Sequence, residues 1–321
     1  MTTWAVNEKI LVQGINTPLA QYYVPRMLAY GTQIVAGVNA DQVNTTPHDE
    51  QKLPIFDLVV TANQAVGEIT TSLIFVDPFE VLDAALEAIA TGIKQLVIIS
   101  MGVPPLDMVR LFRKIKGTNV QILGPGSSGL IIPGKLWLGT GFADHFQPGE
   151  VALLGRFNSL MQEAAILLNG VGFGQSYVVD VGNADLPGST LSQWLTILDE
   201  DSETKVIALL GRYGSQEEIQ LIPFIRDQIS KPVITYLCGH HTPLNRNCND
   251  AGTIITNHLS YCLSETYNAT EMAAAFKREK LPFARSLKDL PKLVKQAIAP
   301  PKRRGRRKTK RASPSPQQDK T

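Results

Sequence analysis

The sequence predicts an α/β protein built from two tandem doubly wound parallel-sheet domains, followed by a disordered basic tail. Three observations carry this. Short unbroken apolar runs alternate with longer amphipathic stretches, the pattern of strands whose two faces are both covered by helices. The alternation lapses in a Gly/Pro-rich span from Gly124 to Gly149 and then restarts. From Pro300 onward the chain lacks apolar side chains to bury, so it cannot offset the entropy of ordering.

The elements follow in order. Ile10 to Gly14 reads as a buried strand, Leu19 to Tyr30 as a helix and Ile34 to Val38 as the next strand. Strand Ser72 to Val76 precedes helix Phe79 to Thr91, and strand Gln95 to Ser100 precedes helix Pro105 to Lys116. Val120 to Leu123 ends this half. The second half opens with strand Val151 to Leu154 and helix Ser159 to Asn169. Strand Tyr177 to Val181, helix Ser189 to Asp199, strand Val206 to Leu210 and helix Gln216 to Ile229 continue it. Strand Pro232 to Cys238 and a last helix, Leu287 to Ala297, close the fold. The expected boundaries are residues 1–125 for the first domain, 126–149 for an interdomain connection, 150–299 for the second domain and 300–321 for the tail.

A chain of 321 residues that is 44% hydrophobic can fill two cores of ordinary size. No apolar run approaches the roughly 20 residues of a membrane span. Met1 to Lys9 lacks the basic-then-apolar order of a signal peptide, so a cytoplasmic protein is expected. Cys238, Cys248 and Cys262 show no CxxC spacing, which predicts buried free thiols rather than a metal or disulfide framework, and no metal is expected. The net charge of +2 is a sum of opposites. Of 31 Lys/Arg and 29 Asp/Glu, nine and one fall in residues 302–321, leaving 22 against 28, or −6, on the rest. Eight cations crowd Lys302 to Arg311, which would attract nucleic acid or an acidic partner. No aromatic residues interleave them to stack on bases, and Ser313-Pro314 and Ser315-Pro316 offer phosphorylation sites that would weaken the attraction.

Several strings are more specific than sheet punctuation. Ala88-Ile-Ala-Thr-Gly-Ile-Lys94 is followed by an apolar strand and Gly102-Val-Pro-Pro-Leu-Asp-Met108. Leu123-Gly-Pro125, Pro133-Gly134, Gly172-Phe-Gly-Gln-Ser176, Pro187-Gly-Ser189, Ala251-Gly252 and Arg285-Ser-Leu-Lys-Asp-Leu290 come after them. In order and spacing these resemble the α subunit of succinyl-CoA synthetase from about residue 10 to 297. The resemblance implies a Rossmann-like CoA-binding domain, then a flavodoxin-like ligase domain. There a histidine carries a phosphoryl group from a nucleotide held by a β subunit to succinate, and CoA then displaces it. Imidazole suits the relay because its nitrogen is nucleophile and leaving group near neutral pH.

By that resemblance, the phosphohistidine position is Asp250, in Asn249-Asp250-Ala251-Gly252, and the histidine-orienting glutamate position is Arg212. An Asp250–Arg212 ion pair is expected from this double swap. The anion-binding strings at two helix N-termini become Gly155-Arg156-Phe157-Asn158-Ser159 and Gly126-Ser127-Ser128, placing Ser127, Ser128, Asn158 and Ser159 at the anion positions. The substrate-contacting tyrosine aligns with Gln162. The CoA loop reads Gly14-Ile15-Asn16-Thr17-Pro18-Leu19-Ala20 and keeps only its first glycine, so Asn16, Thr17, Pro18 and Leu19 stand at CoA-contacting positions. Gln42 replaces a CoA-contacting lysine, and Ser100-Met101-Gly102 replaces the third contact string. His240 and His241, just past a strand end on the site side, are a local alternative pair of functional groups.

The expected function is therefore that of a catalytically degenerate α-subunit relative: a binding or regulatory protein with weakened or lost CoA binding. It would pair with a β-like protein or with itself. An active but divergent acyl-CoA ligase subunit, and a nucleic-acid-associated protein anchored by its tail, are the competing expectations.

Overall fold

The computed structural model describes Trp4 and residues 8–39, 53–156, 158–184, 186–213, 216–239 and 269–299. In the first domain the strands are β1 (Ile10–Gln13), β2 (Ile34–Val38), β3 (Ile55–Phe56), β4 (Thr71–Ile74), β5 (Gln95–Ile98) and β6 (Gln121–Leu123). Its helices are α1 (Pro18–Ala29), α2 (Val59–Val66), α3 (Val81–Ala90) and α4 (Pro105–Ile115). The strands form one wholly parallel sheet in the order β3-β2-β1-β4-β5-β6. That is the doubly wound order, with its switch point between the carboxyl ends of β1 and β4. Strands β1, β4 and β5 are buried at every position, and their polar side chains pair with one another, Thr71 with Gln95 and Ser72 with Gln13.

The second sheet has seven strands in the order β13-β12-β11-β9-β10-β7-β8. They are β7 (Gly129–Ile132), β8 (Leu136–Gly139), β9 (Pro148–Gly155), β10 (Gln175–Asp180), β11 (Val206–Arg212), β12 (Val233–Cys238) and β13 (Phe283–Ala284). Helices α5 (Asn158–Asn169), α6 (Leu191–Glu200), α7 (Gln216–Gln228), α8 (Ala269–Arg278) and α9 (Leu290–Ile298) complete the domain. Strands β9 to β13 are parallel, whereas β7 runs antiparallel to β10 and β8 antiparallel to β7.

This changes the reading of residues 126–149. The span expected to be a connection contributes the β7–β8 hairpin, which extends the second sheet through β10. The glycines that suggested a loop serve backbone approach. A Cβ on Gly129 would lie 1.8 Å from the Leu138 carbonyl oxygen, and one on Gly139 would lie 2.3 Å from that of Ser128. Helix α2 and strand β3, and likewise helix α8 and strand β13, were not anticipated either. Strands of two residues carry too little periodicity to register. The last helix starts at Leu290, because a 3-10 turn capped by Ser286 occupies Leu287–Asp289.

The hairpin also joins the domains. Trp137 of β8 is 5% exposed and makes T-shaped contacts with Tyr23 and Tyr30 of the first domain, at centroid distances of 6.2 and 5.9 Å. Thr32 Oγ1 donates to the Trp137 carbonyl at 2.9 Å and accepts its amide at 3.2 Å. The Gly134 amide donates to the Tyr30 hydroxyl at 2.6 Å. One apolar cluster runs from Ile10 and Val12 through Trp137 to Leu153 and Leu209, so the two sheets share a core.

Candidate functional site

In open α/β sheets ligands bind outside the carboxyl ends of the strands, at the switch point. In the first domain the loops after β1, β4 and β5 are described at that edge. After β1, Gly14 adopts φ +77°, and a Cβ there would meet the Val76 amide nitrogen at 2.8 Å, so only glycine lets the β1 and β4 loops approach. Thr17 caps α1: its hydroxyl donates to the Gly14 carbonyl at 2.9 Å and accepts the Ala20 amide at 3.3 Å. Pro18 takes the first helical position and has no amide to offer. After β5, Ser100 Oγ donates to the Val76 carbonyl at 2.5 Å, Met101 projects outward and Gly102 turns at φ +76°. Leu19, Phe79, Met101 and Leu106 are exposed along this edge. No Lys or Arg occurs in residues 14–20, 76–80 or 100–106, whereas Asp77 and Glu80 do. These described loops therefore offer an apolar ligand contact area and no basic side chain to neutralise phosphates. Of the expected CoA positions it brings together Asn16, Thr17, Pro18, Leu19, Ser100, Met101 and Gly102; Gln42 lies outside the described residues.

In the second domain the switch lies between β9 and β11, and the groups that gather there are charged. Arg156, following β9, is 9% exposed. Its Nη1 donates to the Gly182 carbonyl at 3.0 Å and its Nη2 pairs with Glu217 Oε2 at the start of α7. The other Glu217 oxygen accepts the amide of Leu191, the first residue of α6, at 3.2 Å. One ion pair thus ties β9, the loop after β10 and two helix starts. Glu218 is fully buried, and its Oε1 accepts the Arg212 amide at 3.3 Å. Arg212 ends β11 opposite Cys238, the last residue of β12. Burial pushes the Cys238 thiol up, and Glu218 adds to this while Arg212 opposes it.

Asp180, at the end of β10, is 4% exposed. Its Oδ2 accepts the Ser128 amide at 3.0 Å and the Ser128 hydroxyl at 2.6 Å, and its Oδ1 accepts the Gly182 amide at 3.0 Å. The Ser127 hydroxyl donates to the Asp180 carbonyl and accepts the Gly129 amide at 2.8 Å. Burial raises the Asp180 pKa above the usual carboxylate range, against the pull of the Ser128 and Gly182 bonds and of Arg156. Both serine hydroxyls expected to hold an anion are thus engaged by Asp180, Ser128 by its carboxyl group and Ser127 by its main-chain carbonyl.

Asn158 opens α5 beside Gly141, where a Cβ would come within 2.7 Å of its Nδ2. Ser159 is exposed, and Gln162 is half-buried one turn further along. Asp250, His240, His241, Phe157 and the tail all lie outside the described residues, so the expected Asp250–Arg212 contact does too. Sequence reasoning missed Asp180, Glu217 and Glu218 as site groups. Their signals were a carboxylate ending an otherwise apolar strand and an acidic pair opening a helix. Among the described residues, no group of three or more His, Cys, Asp and Glu could hold a metal.

Comparison with known proteins now bears on this site. The CoA-binding domain family matches residues 6–102, and the CoA-ligase family matches residues 158–276. The α 2 subunit of the ADP-forming succinate–CoA ligase of Archaeoglobus fulgidus is 35% identical over 247 residues, covering 77% of this chain and 84% of that one. The chain belongs to the succinyl-CoA synthetase α-subunit family. The malate–CoA ligase α subunit of Methylorubrum extorquens is 34% identical, over 78% of this chain and 86% of that protein. Among solved structures, ATP citrate lyase of Methanosaeta concilii bound to (3S)-citryl-CoA superposes with a TM-score of 0.75 at 22% identity. That match covers 91% of this chain but spans only half of the lyase chain (50%) and speaks to the fold alone.

Family membership places the CoA-binding domain on the first sheet and the ligase domain on the second. It also makes the engaged serines informative, since their loop is one of the two anion-binding strings the resemblance assigned. Among the described residues, no helix is long and apolar enough to cross a membrane.

Proposed function

We propose that this chain is an α-subunit relative in which the phosphoryl relay has been replaced by a binding or regulatory role, with weakened affinity for CoA. The observation that carries the proposal is Asp180. Its buried carboxyl group takes the amide and hydroxyl of Ser128, and its main-chain carbonyl takes the Ser127 hydroxyl, in the loop where a family anion would need these donors free. A phosphoryl group arriving there would find these donors already paired with Asp180 rather than free to receive it. Arg212 and Asp250, which the resemblance aligns with the orienting glutamate and the phosphohistidine, agree with the same reading. Arg156 remains, but its guanidinium is bonded to Gly182 and Glu217 and serves to hold the β10 loop against α6 and α7.

The first domain supports a CoA site of lower affinity. Its apolar rim suits the pantetheine and adenine parts of the ligand, while Asp77 and Glu80 disfavour the phosphates. The retained second-domain surface suits a β-type partner or a second copy of the chain, and the basic run Lys302 to Arg311 an acidic partner or nucleic acid.

Labelling decides the main point. Incubation with γ-labelled ATP or GTP, with and without any chain that copurifies, is expected to leave no phosphoenzyme and no succinate-dependent turnover. Stable label that disappears in Asp250→Asn would establish a working ligase and overturn the proposal. CoA affinity is read by thermal shift. At 1,000-fold excess over Kd a ligand adds about 4.1 kcal/mol, or a Tm rise on the order of 10 °C for a chain of this size. Millimolar CoA is expected to raise Tm by only about 1 °C, the mark of a millimolar Kd. The larger rise would show that the loop still binds tightly.

A further inference from the structure

The two domains meet where the chain leaves β6, and one exposed polar side chain at that junction has no partner. Residues 124–126 pass the end of β5 and then the loop after β10. A Cβ on Gly124 would lie 2.2 Å from the Ile98 carbonyl oxygen, and one on Gly182 would lie 2.3 Å from that of Pro125. The Gly126 amide donates to the Ser100 carbonyl at 2.9 Å. Gly126 itself turns at φ +67°, and a Cβ there would come within 2.7 Å of Asn183 Oδ1 and 3.6 Å of Met101 Cγ. Asn183, of the second domain, and Met101, on the rim of the CoA edge, therefore flank one glycine. Met101 is 63% exposed. Asn183 is exposed too, and its side-chain amide makes no hydrogen bond among the described residues. The cation that touches this loop is already committed. Arg156 Nη1 donates to the carbonyl of Gly182, the neighbour of Asn183, and Nη2 pairs with Glu217. Arg212 ends β11, which lies two strands from β10 across β9, or roughly 10 Å at the usual strand spacing. Beside Asn183 the junction thus presents a neutral amide and an apolar thioether. A carboxylate drawn out of water there would lack a counter-charge, whereas a methyl group would not need one.

We infer that Asn183 selects the acyl end of a CoA thioester laid along the first-domain edge: its amide N–H donates to the thioester carbonyl beside Met101, and the junction takes a short uncharged acyl chain in preference to a dicarboxylic one. The inference rests on the reading of that edge as a CoA site of lower affinity, and it is separate from the fate of the phosphoryl relay. Free CoA ends in a thiol and has no carbonyl at this place, so the acylated form alone gains the hydrogen bond. Because Met101 belongs to the first domain and Asn183 to the second, the acyl end of the ligand would touch both. Discrimination then comes from what the site leaves unmatched: a second carboxylate finds the Arg156 guanidinium taken, and its desolvation is not repaid.

The test is calorimetric titration of the full-length chain, with any chain that copurifies, against CoA, butyryl-CoA and succinyl-CoA. The last two differ only in a terminal methyl against a carboxylate. Butyryl-CoA is expected to bind at least about threefold more tightly than CoA, the size of one neutral hydrogen bond. It is expected to bind about tenfold more tightly than succinyl-CoA, whose second carboxylate goes unmatched. Asn183→Ala should bring butyryl-CoA down to the affinity of CoA and leave that of CoA unchanged. Asn183 is exposed and its φ is not in the left-handed region, so this variant should fold and keep its Tm near the wild-type value. Equal affinities for CoA and butyryl-CoA overturn the proposal. So does an Asn183→Ala variant that keeps the preference for the acylated form. Succinyl-CoA binding more tightly than butyryl-CoA also overturns it, because a cation must then reach the acyl end. No binding of any of the three up to about 10 mM overturns it as well. That last result leaves the lost relay standing, since phosphoenzyme label decides the relay and these titrations do not.

Discussion

Gly129→Ala is expected to cost more than about 4 kcal/mol and to remove most soluble, folded protein, a size reached only by substitutions with a specific steric or electrostatic cause. Two causes coincide here. Gly129 has φ +99°, where an L side chain is strained, and its Cβ would lie 1.8 Å from the Leu138 carbonyl oxygen and 2.8 Å from the carbon. Both are backbone atoms of the paired strand, so no side-chain rotation relieves the clash. The hairpin would have to part at its Gly129–Gly139 register, and with it go the Trp137 contact between domains and the loop that holds Ser127 and Ser128. Gly92→Ala is the control. That glycine also has positive φ, +98°, but a Cβ there meets nothing within 4 Å, so the loss should be about 1 kcal/mol. Urea denaturation of both variants checks the contrast, and equal losses would refute the steric account.

Asp180→Ala is expected to destabilise by about 4 kcal/mol, since it strands the Ser128 amide, the Ser128 hydroxyl and the Gly182 amide in a buried place at roughly 1–3 kcal/mol each. Asp180→Asn keeps the shape and one acceptor, and about 2 kcal/mol is expected because its amide group faces donors. The pH dependence has a definite sign. Burial holds the folded pKa of Asp180 above its unfolded value, so its protonated form is the one the fold favours. Its stabilising contribution is complete below the ordinary carboxylate range and is lost as pH rises through the raised folded pKa. The stability gap between the native chain and Asp180→Asn should therefore be largest in mild acid and narrow toward neutrality, as unfolding at pH 4 and pH 8 would show. A gap that widens with pH would mean the carboxylate is held ionised, and it would leave the serine loop occupied by a full negative charge.

The readable part of the fold came from runs of burial. Ile10 to Val12, Leu96 to Ile98 and Val206 to Leu210 are apolar because both faces of a parallel sheet are covered. The β7–β8 hairpin was missed for the opposite reason. Gly129, Pro133, Gly134, Gly139 and Gly141 punctuate it so densely that loop chemistry outweighs the apolar Leu130 to Ile132 and Leu136 to Leu138. Those glycines are needed because strands cross closely there, which depends on residues distant in sequence. At the candidate site, motif order identified the Ser127–Ser128 loop, but not that Asp180, 52 residues later, had claimed its donors.

What the sequence determined by itself is the family and the two doubly wound domains. These are properties of local period and of order along the chain. Only the tertiary structure decided which groups meet: Asp180 with the serines, Arg156 with Glu217, and Trp4 with Trp194. Hydrogen bonds and stacking act over a few ångströms, and sequence separation does not report distance in space until the sheets have brought their strand ends together.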